Sequence, residues 1–268
     1  MGVINATPDS FSDGGLRLDP ARAIADGLAM VADGADFIDV GGESSRPGAD
    51  PVSVEEELRR ILPIVSGLTG HGVPVSVDTR RAAVMAAALD AGARIINDTS
   101  ALRDDRAALP LIAERGPAVI LMHRRGTAAD RYRGPAYADV VADVRDFLAA
   151  RIEDCLAAGV AREAIAIDPG IGFGKLPADG YDPDQNLRLI VGIPALVPLG
   201  APVVIGASRK QFVGHISGEP DAARRLGGSL ALALEAARRG AAILRVHDVR
   251  ETVQALKAVA ALDAADDG

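Results

Sequence analysis

The sequence predicts a single (β/α)8 TIM barrel, and three observations carry that prediction. Eight times an apolar segment of four to six residues is followed by a polar loop and then by a helical pattern, the signature of alternating strands and helices on a parallel sheet. No linker separates these units, so residues 1–268 read as one domain, close to the roughly 250 residues typical of such barrels. The chain is 49% hydrophobic with 3% aromatics and no Trp, which leaves Ala, Val, Leu and Ile to fill the layered interior of a parallel barrel.

The predicted strands are residues 2–5, 36–40, 74–77, 94–97, 118–122, 164–168, 202–206 and 242–245. Their C-terminal ends are polar: Asn5, Glu43 just beyond the second strand, Asp78, Asn97, His123, Asp168, Ser208 with Lys210, and Arg245 with His247. Any one of these alone reads as a cap or turn residue. Together they open on one face of the barrel, the face where this fold builds its active sites.

Taken in order, the loop 6–18 is too long for a tight turn and carries Phe11 with no apolar neighbour, so it is expected to be a mobile lid. The loop 41–52 carries Arg46 beside Pro47, either a solvated charge or a mobile positive arm. Asp78 reads as a site carboxylate or as the cap of the next helix, with Arg80 and Arg81 in its first turn. Asn97 offers both donor and acceptor, which suits the edge of a heterocycle. His123 has no second histidine or carboxylate at ligand spacing and reads as a loop-packing residue. Residues 124–138, rich in Gly and Arg, form the third long mobile loop, after strand five, and a helix follows over about 139–158.

Residues 165–175 (IAIDPGIGFGK) are a strand delivering Asp168 to a loop in which Pro169 forbids further pairing and alternate glycines keep the backbone bare. This is no Walker loop, because Leu176 follows Lys175, and no dinucleotide fingerprint, because Lys175 stands where a glycine is needed. At the seventh strand end Gly206 lets a ligand approach the backbone, Ser208 lies near a helix N-terminus, and Lys210 reaches the same mouth. Arg245 and His247 share one side of an extended segment. Asp248 and Glu251 read as a capping box, and the helix amides with the arginine and histidine make an anion site.

A net charge of −8 argues against nucleic acid, so an anionic substrate must be held by a local positive cluster. No apolar run approaches the roughly 18 residues of a membrane span and no signal peptide precedes the first strand, which makes the cytoplasm the expected compartment. The single Cys155 excludes an intramolecular disulfide, and no Cys/His cluster has zinc spacing.

At residues 5–15 (NATPDSFSDGG), 39–48 (DVGGESSRPG), 76–79 (SVDT), 95–98 (IIND), 168–175 (DPGIGFGK), 208–210 (SRK) and 245–248 (RVHD) the chain resembles the dihydropteroate synthase family, which joins a pterin diphosphate to p-aminobenzoate in folate synthesis. The resemblance spans essentially the whole chain in the family's order. It implies that Asn97, Asp168 and Lys210 read the pterin ring, that Met122 and Gly206 line its slot, and that Asp78 also contacts it. It further implies that Asn5, Arg46, Arg245 and His247 hold the diphosphate, with Mg2+ bridging Asn5 to its oxygens. Phe11, Ser45, Pro47, Phe173 and Ser208 would form the p-aminobenzoate site. The implied chemistry is dissociative, with Asp78, Lys210, Arg245 and His247 as the catalytic set.

A homodimer through the last two helices is expected, the helix 222–239 being richer in Leu than one barrel-facing side requires. Ser45 stands where the family usually has threonine and Thr99 where an aliphatic residue is common, and a segment before the first strand, usual in the family, is expected to be missing. Two other readings compete. A corrinoid-serving methyltransferase barrel would share the pterin-reading Asp and Asn but has no leaving diphosphate to hold, and a pterin-holding homologue without catalysis would not need Asp78.

Overall fold

The computed structural model describes residues 1–7, 19–44, 50–126, 137–175 and 184–266. Eight short parallel strands run in chain order: β1 (Gly2–Asn5), β2 (Ile38–Gly41), β3 (Val75–Asp78), β4 (Ile95–Asp98), β5 (Ala118–Met122), β6 (Ile165–Asp168), β7 (Val204–Ile205) and β8 (Ile243–Leu244). The first six form one continuous sheet and the last two a separate pair. Single parallel bridges join the two pieces into a ring, Ile167 with Val203 on one side and Gly2 with Val246 on the other.

β7 and β8 are shorter than the predicted 202–206 and 242–245. The Val203 carbonyl receives the amides of both Ala242 (2.9 Å) and Ile243 (3.1 Å), two residues opposite one, and Pro202 has no amide to donate. That bulge breaks the regular ladder. Helices α1 (Pro20–Ala32), α2 (Val54–Gly70), α3 (Ala82–Asp90), α4 (Ala108–Arg115), α5 (Val140–Ala157), α6 (Asp184–Val191), α7 (Ile193–Leu196), α8 (Gln211–Ser217), α9 (Leu226–Arg238) and α10 (Val249–Asp266) complete the chain. Their starts follow ordinary capping chemistry: Asp19, Ser53 and Asp139 each accept amide hydrogens of the first turn.

Strand alternation sorts the barrel interior into layers. Met1, Ile120 and Val204 pack with Phe37, Ile95, Ala166 and Ile243 in an apolar floor. Two residues further along the strands, on the same inward side, stand Asp39, Asn97, Met122, Asp168, Gly206 and Arg245. The opposite faces of the strands, Val40, Val75, Val77, Ile96, Val119, Leu121 and Ile167 among them, are buried against the helices. A polar layer resting on an apolar floor is therefore built by period-two patterning alone.

Three sequence expectations on helix starts are corrected. Asp78 does not cap α3: the first amide of that helix, Ala82 N, donates to Asp105 Oδ2 at 2.8 Å. The Asp248–Glu251 capping box is replaced by an ion pair, because Asp248 takes Arg209 on both carboxylate oxygens. The helix expected over 222–239 begins instead with a 3-10 turn, Ala222–Arg224, before α9.

Candidate active site

Asp39 is the centre of the polar layer and is fully buried. Its Oδ1 accepts from Ser76 Oγ at 2.6 Å, and Asn97 Nδ2 approaches both carboxylate oxygens at 3.3 and 3.4 Å. Its Oδ2 accepts from Arg245 Nε at 2.7 Å, while Nη2 of the same guanidinium reaches Asp78 Oδ2 at 3.3 Å. A buried carboxylate costs several kcal/mol unless its lone pairs are occupied, and here the partners come from β3, β4 and the residue that follows β8. One guanidinium thus serves two carboxylates. Burial first, and then the Asp39 charge, raise the Asp78 carboxyl to about 7, against the opposing pull of Arg245.

Asp168, at the end of β6, is buried, and its Oδ1 accepts from Gly170 N at 2.6 Å. Burial raises its pKa, and Lys210 opposes that rise. Lys210 reaches across from the β7 side, with Nζ donating to the Ile171 carbonyl and lying 4.5 Å from the centroid of the Phe173 ring. Burial lowers its pKa to about 8. Gly170 is required where it stands: its φ is +71°, and a Cβ there would overlap the His123 carbonyl oxygen.

Lys175, which closes this loop, is fully buried. Its Nζ bonds His123 Nδ1 at 2.9 Å and the carbonyls of Phe173 at 2.9 Å and His123 at 3.4 Å. His123 is a packing residue, as the sequence suggested, set edge-on to Phe147 at 4.7 Å. It is also the acceptor that ties Lys175, and with it the wall carrying Phe173, to β5.

On the opposite wall Ser208 Oγ lies 3.1 Å from His247 Nδ1 and 3.3 Å from His247 N. Burial, followed by the charges of Arg245 and Arg209, pushes His247 down to about 4, so it is neutral at physiological pH. The positive charge expected of the Arg245–His247 pair therefore resides on Arg245, which spends it on Asp39 and Asp78. Gly206 keeps the wall thin: a Cβ there would lie 3.7 Å from Arg245 Cβ. Arg80 and Arg81 are not idle first-turn residues; both pair with Glu43, and Arg81 also holds Glu57 and the Val52 carbonyl. They clamp both ends of the β2–α2 connection.

The sequence-predicted Asn97, Met122, Asp168, Gly206, Ser208, Lys210, Arg245 and His247 thus converge on one mouth with Asp78 and Phe173. Asn5 is exposed at the end of β1. Phe11, Ser45, Arg46 and Pro47 lie outside the described residues, as do 8–18, 45–49 and 127–136 of the three loops expected to be mobile. Among the described residues no group of three or more His, Cys, Asp or Glu could hold a metal ion by itself. The isolated amide oxygen of Asn5 suits a magnesium ion that keeps its waters and binds substrate oxygens, since Mg2+ commonly takes only one or two protein ligands. Sequence reasoning missed Asp39 and Lys175; an aspartate inside an apolar strand was the available signal for the first.

A closed parallel barrel with a buried ring of amide, carboxylate and ammonium groups facing one slot is the architecture of a pterin binder. The chain belongs to the family of pterin binding enzymes, whose pattern matches residues 1–247. Within it the resemblance is to dihydropteroate synthases. The Mycobacterium leprae enzyme of that name is 48% identical over 267 residues, 97% of this chain and 92% of that protein. The structure of Xanthomonas albilineans dihydropteroate synthase with 4-aminobenzoic acid superposes with a TM-score of 0.90 at 45% identity, covering 98% of this chain and 92% of the other. A second structure of that enzyme, in complex with 7,8-dihydropteroate, gives 0.86 at 42% identity with the same coverage.

Proposed function

We infer that this protein is a dihydropteroate synthase, condensing hydroxymethyl-dihydropterin diphosphate with p-aminobenzoate and releasing diphosphate. The observation that carries the reading is the polar layer itself: Asn97, Asp168 and Lys210 present donors and acceptors around a slot floored by apolar side chains. The carboxylate of Asp168 accepts from the exocyclic amine and ring nitrogen of the pterin, Asn97 and Lys210 read its remaining edge, and Met122 and Gly206 line the slot. His247 and Arg245, with Asn5 and Arg46, take the diphosphate. Asn5 would hold Mg2+, which would supply charge neutralisation to the departing diphosphate. Phe173 and Ser208 bound the p-aminobenzoate side together with Phe11, Ser45 and Pro47.

The bond between the pterin methylene and oxygen breaks with both electrons leaving on diphosphate, and the arylamine nitrogen then donates its pair to the methylene and loses a proton. Ionised Asp78 stabilises the positive charge that develops on the pterin methyl, an interaction strongest in the transition state. No protein nucleophile is required, because the leaving group departs before the arylamine attacks. The pairing of Ser208 with His247 beside Arg245 favours this reading over the corrinoid methyltransferase, which has no diphosphate to seat. We also propose a homodimer through α9 and α10, supported by Leu262, 65% exposed on α10, and a cytoplasmic location; no helix among the described residues is long and apolar enough to cross a membrane. Incubation with the pterin diphosphate, magnesium and p-aminobenzoate should give dihydropteroate and diphosphate in equal amounts, and absence of both products would reject the assignment.

A further inference from the structure

Arg209 lies between Ser208 and Lys210 with φ of 58°, one of three non-glycine residues among those described with positive φ. L-residues avoid this region because Cβ crowds the following carbonyl, so it persists only where the surroundings over-determine it. The bend decides what its neighbours can reach. Before it, Ser208 turns to His247 on the β8 side; after it, Lys210 crosses to the Ile171 carbonyl and the Phe173 ring on the β6 side.

The constraint comes largely from outside the site. Arg209 N donates to Ser229 Oγ at 2.9 Å, and the Arg209 carbonyl accepts from Arg225 Nη1 at 3.0 Å. Ser229 and Arg225 are fixed in turn. Ser229 Oγ donates to the Arg225 carbonyl at 2.7 Å, and Arg225 Nε donates to the Glu219 carbonyl at 2.9 Å. Gly214 on α8 leaves the room this guanidinium needs, since a Cβ there would lie 2.6 Å from Arg225 Cζ. Both peptide groups flanking the bend are therefore held by two side chains at the start of α9.

We propose that Ser229 and Arg225 are positioning residues that lock the Arg209 bend and so aim Ser208 and Lys210 at the two substrates. The proposal rests on the synthase reading for what is being aimed, and on geometry alone for the lock. Ser229→Ala removes one hydroxyl from a buried position and is the primary variant; Arg225→Met is the second. Misplacing reacting groups by about 1 Å costs about 100-fold in rate, so kcat/KM for each substrate should fall by about 10- to 100-fold while the melting temperature of Ser229→Ala stays near that of the wild type. A crystal structure of Ser229→Ala should show Arg209 at negative φ and Lys210 Nζ withdrawn from Ile171. Kinetics equal to the wild type, or a lowered melting temperature with unchanged kcat/KM values, would overturn the proposal, and Ser229→Ala decides alone if Arg225→Met does not fold. An inactive wild type would reject the synthase reading instead; the variant structure still decides the lock, which fails if the bend and Lys210 are unmoved.

Discussion

If ionised Asp78 stabilises the developing cation, the pH dependence of the enzyme follows from its surroundings. With its carboxyl raised to about 7, Asp78 is mostly ionised one unit above that value and mostly protonated one unit below. Two units of pH therefore change the active fraction by about tenfold, the span of a single titration centred on that pKa. Lys210, lowered to about 8, loses its proton on the alkaline side and with it the charge presented to the pterin. The profile of kcat/KM for the pterin diphosphate should be a narrow bell, its acid limb set by Asp78 and its alkaline limb by Lys210. Asp78→Asn should lower the maximum by about 100-fold, the scale of removing one electrostatic partner of a transition state, and should abolish the acid limb while leaving the alkaline one. Initial rates with p-aminobenzoate saturating, corrected for the substrate's own phosphate ionisation, supply the test. An acid limb that survives unchanged in Asp78→Asn would assign it to another group and return Asp78 to a structural role.

Three further outcomes are expected. Arg245→Met leaves Asp39 and Asp78 buried without their shared cation and should cost about 3–5 kcal/mol in urea unfolding at neutral pH; adding Asp39→Asn should recover part of this, and a double variant no more stable than the single one would place the loss elsewhere. His247 titrates from 6.5 down to about 4 and His123 is also depressed by burial. Their contribution to stability is present above the unfolded value near 6.5 and is lost as pH falls toward the folded values, by up to about 1.4 kcal/mol per pH unit for each histidine, while the raised carboxyls of Asp78, Asp98 and Asp168 act in the opposite sense; the readout is therefore the urea stability of the wild type minus that of His247→Gln, and a difference that does not change between about pH 6.5 and about pH 4.5 would contradict the burial of His247. Gly170→Ala places a methyl group against the His123 carbonyl at positive φ, and a loss of about 3 kcal/mol or more is expected, with thermal unfolding as the readout and a wild-type melting temperature as the refutation.

How much of this could be read beforehand depended on where each residue sits along its strand. Residues at strand ends were legible, because a polar group after an apolar run has few structural reasons to recur eight times. Asp39 was not, since it lies within its run and its partners Ser76, Asn97 and Arg245 are 37, 58 and 206 residues away along the chain. Lys175 escaped for a related reason: nothing local shows that a loop lysine ends up sealed against a histidine 52 residues earlier. The two failed helix caps have the same origin. Asp248 has the spacing of a cap, but a guanidinium brought over from the β7 end offers it a charge, which outweighs neutral amides. The bulge at Val203, which shortens β7 and β8, depends on pairing geometry that no single segment encodes.

The ring of strands is not uniform, and this bears on how a ligand is gripped. Six strands form one stave and β7 with β8 another, hinged together by one regular bridge at each seam. Asp39, Asp78, Asn97 and Asp168 stand on the larger stave; Gly206, Ser208, Lys210, Arg245 and His247 belong to the smaller one or its ends. The Arg245 ion pairs with Asp39 and Asp78 are rivets across one seam, and the reach of Lys210 to Ile171 is a rivet across the other. A molecule that touches both staves replaces or reinforces those rivets, so filling the slot and tightening the barrel are a single mechanical event.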